Sequence, residues 1–156
     1  VNGVSTDYRY KRWYNKMNDY FDGWAFYKYW EVEEYSHGSV LPLIRKPEMY
    51  YMAAECLLET GNAADRIKAI EYLNTVRDNR GIAKLGNDMP AGTVQDEITK
   101  EYQREFIGEG QLFYYYKRLG FEKIPYSTKP GSDAVYVVPL PSGDVGLGGM
   151  EDYKKK

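Results

Sequence analysis

The amino-acid sequence predicts a mostly α-helical chain with long irregular segments. Apolar residues recur about every 3.6 positions between residues 47 and 106, and glycine or proline stands at the ends of those stretches. A length of 156 residues suits one domain. We therefore expect a single domain, 1–156, that consists of an aromatic, loop-rich segment (1–46), a helical hairpin (47–81), a further helix (93–120) and an extended or irregular tail (121–156).

The hairpin is predicted from residues that begin and end helices. Pro47 suits the first turn of one helix and Gly61 its left-handed end, while Asn62 suits the N-cap of the next helix. So short a connection requires the two helices to pack antiparallel, with their apolar faces together. The apolar face of the first helix is predicted to contain Met49, Met52, Ala53, Cys56, Leu57 and Thr60. That of the second is predicted to contain Ile67, Ile70, Leu73, Asn74 and Arg77.

A third helix is predicted from Thr93 to Gly120. Thr93 suits its N-cap, with Asp96 as a variant of the capping box, and Gly108 and Gly110 weaken its middle. Its apolar stripe contains Val94, Ile98, Tyr102 and Phe106. Beyond it, residues 134–138 are predicted to form a short strand or an extended packing segment.

Three glutamates of the third helix, Glu101, Glu105 and Glu109, follow one another at intervals of four residues. This spacing places them on one face of the helix, whereas glycoside hydrolysis needs two carboxylates that face each other across a cleft. We expect a solvated or salt-bridged stripe, and no catalytic residue is predicted.

The composition argues against several other kinds of site. A net charge of -2 gives no general attraction for nucleic acid. With one cysteine, Cys56, and one histidine, His37, the chain cannot form a Cys/His zinc site, and we predict no metal and no cofactor.

Aromatic residues dominate the first 46 positions, where Gly23 and Gly38 interrupt any regular period. We expect mostly loop there, with one or two short extended pieces. The chain contains 17 tyrosines and 3 tryptophans, and flat aromatic rings beside polar groups suit the apolar faces and polar edges of sugars. The candidate ligand-binding residues are Trp13, Trp24, Trp30, Asn18 and Asp22. The alternative is that these rings only cover the helical hairpin.

Two resemblances follow from these stretches. The hairpin, with Ala53, Ala54 and Ala69 at its crossing, resembles one tetratricopeptide-type repeat. Residues 46–58, 69–81 and 101–120 together resemble the C-terminal region of the SusD/RagB lipoproteins of the outer membrane. The sequence Arg104-Glu105-Phe106 lies in the most recognisable of these stretches. The chain departs from the usual pattern at Leu112 and Tyr115, where the family commonly has arginine and aspartate.

The SusD/RagB resemblance implies a SusD-like helical fold and a non-catalytic function. It implies a cell-surface protein of Bacteroidetes-type bacteria that captures an oligo- or polysaccharide and works with a TonB-dependent transporter. The lipid anchor would lie on an upstream cysteine, since Cys56 falls within a helix, on its predicted apolar side. This chain would then be joined to the remaining N-terminal part of a longer one. The alternative function is a tetratricopeptide-like scaffold for protein-protein interaction.

Overall fold

The computed structural model describes residues 6–17, 23–29 and 42–138. These residues are mostly helical, as predicted. The elements, in chain order, are α1 (Tyr8–Trp13), β1 (Tyr14–Lys16), β2 (Trp24–Phe26), α2 (Lys46–Glu59), α3 (Ala63–Asn79), α4 (Ala91–Glu105), α5 (Gln111–Arg118) and α6 (Asp133–Tyr136). The chain divides into two compact units, Val1–Ile107 and Gly108–Lys156.

The predicted helical hairpin is present as α2 and α3. Pro47 lies in the first turn of α2, and Gly61 has a φ of +72°, in the left-handed region. The Asn62 side chain accepts a hydrogen bond of 2.8 Å from the backbone N–H of Asp65, which confirms its N-cap role. The short connection therefore reverses the chain, as its residue types predict.

The buried face of α2 differs from the prediction. Tyr51 and Ala54 are fully buried, whereas Met49, Met52 and Cys56 are exposed. Tyr51 packs against the rings of Tyr102 in α4 (centroids 5.2 Å apart) and of Phe106, which directly follows α4 (6.2 Å). Burial of the Tyr51 ring against these two rings outweighs burial of the two methionines, so the face of α2 that holds Tyr51 and Ala54 packs inward.

Helices α3 and α4 bury the faces that the sequence predicts. Ile70 and Leu73 of α3 have no exposed surface, and Arg77 is buried beside them. The predicted stripe of the third helix is also buried: Val94, Ile98, Tyr102 and Phe106. Together with Tyr51, these side chains form the core of the first unit.

The predicted helix over 93–120 is wrong in its continuity and in its cap. Helix α4 begins after Pro90, not at Thr93, and ends at Glu105. Gly108 and Gly110 both have positive φ values, +76° and +77°, which no right-handed helix can contain. A separate helix, α5, therefore begins at Gln111.

The N-terminal segment is more regular than predicted. The Asp7 carboxylate accepts a hydrogen bond of 2.9 Å from the Arg9 N–H and so caps α1. Strands β1 and β2 then form a two-stranded antiparallel sheet, in which Tyr14 pairs with Phe26 and Lys16 with Trp24. This sheet accounts for the predicted short extended pieces, whereas helix α1 was not predicted.

In the second unit, residues 134–138 do not form the predicted short strand or extended segment throughout, because Asp133–Tyr136 is the single helical turn α6. The Ser132 carbonyl accepts hydrogen bonds from the N–H groups of Val135 (2.9 Å) and Tyr136 (2.8 Å). The Tyr136 hydroxyl donates to the Phe121 carbonyl at 2.6 Å, and the Gly131 N–H donates to the Glu122 carbonyl at 2.7 Å. These local bonds outweigh the β-propensity of the valines.

No helix in the described ranges is long and apolar enough to cross a membrane.

Candidate ligand-binding site

Four aromatic side chains of the N-terminal segment form a continuous group, which we call the aromatic row: Tyr10, Tyr14, Trp24 and Phe26. The Tyr10 ring lies 5.8 Å from both the Tyr14 and the Trp24 rings, and the Tyr14 ring lies 5.3 Å from that of Phe26. Trp24 is 57% exposed, and Tyr10 and Phe26 are also exposed. Large rings that contact one another and remain exposed form a surface on which a flat apolar ligand face can stack.

The register of the sheet explains how the aromatic row is arranged. Directly paired residues of an antiparallel sheet project to the same face, and so do alternate residues of one strand. Tyr14 and Phe26 are one such pair, and Lys16 and Trp24 are another, so all four share a face. Tyr10 lies one helical turn before Tyr14 and extends the row onto α1. Partial burial raises the pKa of the Tyr14 hydroxyl, so this group stays protonated.

The five predicted ligand-binding residues have different outcomes. Trp24 lies in the aromatic row and is its most exposed ring. Trp13 is half-buried, and the Lys28 Nζ lies 4.2 Å from the centre of its ring. Trp30, Asn18 and Asp22 lie outside the described residues.

The prediction missed Tyr10, Tyr14 and Phe26. The spacing of Tyr10 and Tyr14 is a helical i, i+4 signal that could have paired these two rings. No local signal, however, indicates that Phe26 lies opposite Tyr14 across the sheet.

A buried group of charges links the aromatic row to the helices. The Arg9 side chain, on α1, is only 4% exposed and donates to two carboxylates of α4: Nη1 to Glu105 at 2.9 Å and Nη2 to Glu101 at 3.0 Å. Its Nε and Nη2 also donate to Asp7, at 3.0 and 2.9 Å. Because Arg9 lies next to Tyr10 in α1, these bonds fix the base of the aromatic row.

Further arginines surround the same two glutamates. Arg80 donates to both oxygens of Glu105, at 3.0 and 2.9 Å, and Arg45 also donates to Glu105. Arg77 and Arg104 each donate to Oε1 of Glu101, at 2.9 and 2.7 Å. We call these residues, with Asp7, Arg9 and the edge residue Glu97, the arginine-carboxylate network.

The network keeps the Glu105 carboxylate ionised. Burial alone would raise the pKa of Glu105, but the hydrogen bonds and charge of Arg80, with the charges of Arg45 and Arg9, hold that pKa below its ordinary value. Burial likewise opposes the charge of Arg9, but its bonds to Asp7 and the charge of Glu101 raise its pKa overall. A catalytic acid needs a raised carboxyl pKa, so Glu105 is suited to holding the structure together.

The predicted stripe of solvated or salt-bridged glutamates is therefore correct only in its second form and only for Glu101 and Glu105, because Glu109 lies beyond the end of α4. Glu101 and Glu105 are fully buried and ion-paired, not solvated. Their partners come from four segments of the first unit, including α1 and α3. Among the described residues, no group of three His, Cys, Asp or Glu side chains could hold a metal ion.

A cleft of about 220 Å³ lies between α2 and α3, lined by Lys46, Pro47, Tyr50, Thr75, Val76, Asn79 and Arg80. Sites for drug-sized ligands usually enclose about 300–1,000 Å³. This cleft is too small for an oligosaccharide, so the aromatic row is the better candidate site.

A sequence model of the SusD family matches residues 4–147. The chain belongs to the SusD family. No curated protein and no solved structure matches the sequence.

SusD-family proteins are generally nutrient- or glycan-binding proteins of the outer membrane, and the family is non-catalytic. They generally bind glycans and work with TonB-dependent transporters. The range matched to the SusD family includes the aromatic row, all members of the arginine-carboxylate network, and both helices of the hairpin. The resemblance drawn from the sequence is therefore confirmed at the level of the family.

Proposed function

We propose that this SusD-family chain binds an oligo- or polysaccharide at the bacterial surface without cleaving it and passes it to a TonB-dependent transporter. The membership of the chain in a family of nutrient-binding proteins carries this proposal. In the proposal, the protein is held at the outer membrane by a lipid on an upstream cysteine. Cys56 has no part in that anchor, because it lies within helix α2.

The aromatic row supports a ligand with flat apolar faces. A pyranose ring presents a face of C–H groups, which packs well on an exposed indole or phenol ring. Trp24 and Tyr10 present two such rings with centres 5.8 Å apart. Tyrosine and tryptophan lose little side-chain freedom when a ligand binds, so a modest contact area gives useful affinity.

The arginine-carboxylate network supports this role by fixing the surface in advance. Arg9 ties α1 to α4, and the Tyr8 N–H donates to the Arg80 carbonyl at 2.8 Å. Lys28 ties the end of the sheet to α4 through a bond of 2.5 Å to the Glu105 carbonyl. A surface that is already ordered has less conformational entropy to lose when it binds a ligand.

Trp24→Ala tests the assignment of the site. Binding to a panel of polysaccharides is measured by affinity electrophoresis and calorimetry, with Tyr10→Ala as a second variant. The control is Tyr114→Ala, which removes an exposed ring of α5. We expect Trp24→Ala to weaken binding at least tenfold, or about 1.4 kcal/mol, and the control to leave it unchanged.

Equal affinity of Trp24→Ala and the wild type would place the ligand away from the aromatic row. The predicted residues that the structure does not describe, Trp30, Asn18 and Asp22, would then be tested in the same way. Chromatography of the polysaccharide after long incubation checks for cleavage. Shortened products would contradict the proposal that the chain only binds.

The exposed apolar side of α2 supports a second contact, with the remaining N-terminal part of a longer chain. Met49 and Met52 are nearly half exposed, and Leu43 and Ile44, just before α2, are 90% and 75% exposed. The alternative function, a tetratricopeptide-like scaffold, would use the same surface for a separate protein. If another part of the longer chain normally packs on this surface, changing both methionines to glutamine should lower self-association, as measured by size-exclusion chromatography.

A further inference from the structure

The charges beside the aromatic row indicate which sugars it would hold. Residues 6–17 and 23–29 contain one acidic side chain, Asp7, and five basic ones: Arg9, Lys11, Arg12, Lys16 and Lys28. Asp7 is paired with Arg9, within the arginine-carboxylate network. The charge that these two segments expose is therefore basic, although the whole chain has a net charge of -2.

Lys16 has the most informative position of these basic residues. It is the direct cross-strand partner of Trp24 and shares the face of the sheet that holds Tyr14 and Phe26. The Cβ atoms of such a pair lie about 4.5–5.5 Å apart, so the lysine ammonium lies within reach of a group on a ligand stacked against the indole. Lys16 is exposed and makes no ion pair within the described ranges.

Lys11 and Arg12 add to the positive potential from the last turn of α1. Both are exposed, and neither is paired with a carboxylate in the described segments. Residues 18–22, which include Asp19 and Asp22, lie outside the described residues. Exposed rings can stack against a sugar, and an ammonium beside them attracts an anion. One sugar unit can use both interactions only if that unit is negatively charged.

We propose that the aromatic row binds an acidic glycan, with a sugar ring stacked on Trp24 and its carboxylate held by the Lys16 ammonium. This inference rests on the proposed function and names the class of its ligand. Lys16 sets the preference for charged over neutral sugars, while Trp24 and Tyr10 supply affinity for both.

The test compares polymers that differ only in charge. The wild type is titrated with polygalacturonate, alginate and hyaluronate, each beside its carboxyl-reduced form, in calcium-free buffer at low salt. We expect at least one acidic polymer to bind tenfold or more tightly than its reduced form. Adding 0.5 M NaCl should remove most of that difference, because salt screens exposed charges.

Two variants of Lys16 and one control variant then test the role of Lys16. Lys16→Gln should weaken binding of the acidic polymer about tenfold while changing binding of the reduced form by less than twofold. Lys123→Gln is the control, because it removes the same charge from another exposed position. Lys16→Arg should keep most of the affinity.

The outcomes separate this inference from the proposed function. Equal binding of acidic and reduced polymers, or equal losses in Lys16→Gln and Lys123→Gln, would overturn the inference and leave glycan binding in place. Failure of the wild type to bind any polymer, in either form and in the wider polysaccharide panel, would overturn both.

Discussion

Removal of the Glu105 carboxylate should destabilise the first unit strongly. Glu105 is fully buried and accepts hydrogen bonds from three arginines: Arg9, Arg45 and Arg80. In Glu105→Ala, Arg80 loses both of its bonds to that carboxylate, while Arg9 keeps its bonds to Asp7 and Glu101. The main cost is therefore that of the partly buried Arg80 and Arg45 guanidinium groups, whose nearest counter-charge has been removed.

Loss of one partner from a buried ion pair costs about 3–5 kcal/mol. Since Arg9 retains two other carboxylates, we expect about 3–4 kcal/mol for Glu105→Ala. For a chain of this length, each kcal/mol lowers the melting temperature by roughly 2–4 °C, so the expected fall is about 6–16 °C. Glu97→Ala, at the edge of the network, should cost about 1 kcal/mol or less, because its partner Lys100 is exposed and its other partner, Arg77, keeps its bond to Glu101.

Urea unfolding followed by circular dichroism measures these differences. Tryptophan fluorescence is an independent probe of the N-terminal segment, because all three tryptophans, at positions 13, 24 and 30, precede residue 31. Glu105→Gln separates charge from volume, because glutamine fills the same space without the charge. If the ion pairs matter, this variant should show most of the loss in free energy of unfolding that Glu105→Ala shows. A loss in Glu105→Ala no greater than that in Glu97→Ala would refute the argument from buried charge.

Three further predictions concern acid and two pairs of glycines. The arginines hold the pKa of Glu105 below its ordinary value of 4.5. The free energy of unfolding should therefore be level from pH 7 to about 5, and then fall as pH drops below about 4.5 and through the folded-state pKa. Urea midpoints measured across this range should fall less steeply in Glu105→Gln. Gly81→Ala should lower the free energy of unfolding more than Gly61→Ala, although both glycines have a φ near +70°. An added Cβ at Gly81 would lie 2.6 Å from the Tyr8 ring and 2.9 Å from a backbone oxygen, while one at Gly61 meets nothing within 4 Å. Matched melts should give about 1–2 kcal/mol for Gly61→Ala, and an equal result at both positions would contradict the close approach. In the second unit, Gly131→Ala should lower the melting temperature more than Gly120→Ala, because a Cβ at Gly131 would clash with the Phe121 carbonyl oxygen, while that at Gly120 meets nothing within 4 Å. The opposite order would argue against the close approach of Gly131 to Phe121.

The helical hairpin was predictable because its signals are local. Pro47, Gly61 and Asn62 each act within a few residues of their own position, and all three lie in the structure where the sequence places them. The face of α2 was not predictable in the same way. Its sequence holds one stripe of methionines and another that contains Tyr51, and only the rings of Tyr102 and Phe106 decide which of them is buried.

The candidate site was predicted in its composition but not in its geometry. Trp24 was predicted as a ligand-binding residue because aromatic residues are dense around it, and its ring is exposed in the structure. The contact of Arg9 with Glu105 spans 96 residues of sequence, so no local pattern could show it. The Asp7-x-Arg9 spacing was a usable signal, since an N-cap aspartate two residues before an arginine can bond both its N–H and its side chain.

The arginine-carboxylate network also sets an order of events as the chain is made. Arg9, Arg45, Arg77 and Arg80 all precede Glu101 and Glu105 in the sequence. A chain that emerges from its N-terminus, whether from a ribosome or from an export channel, therefore presents four guanidinium groups before either of the glutamates they bond appears. Until α4 follows, burial of these arginines has no compensation from Glu101 or Glu105, so we expect the N-terminal segment to stay hydrated until then. We therefore expect the first unit to close only after its last helix, α4, has been made.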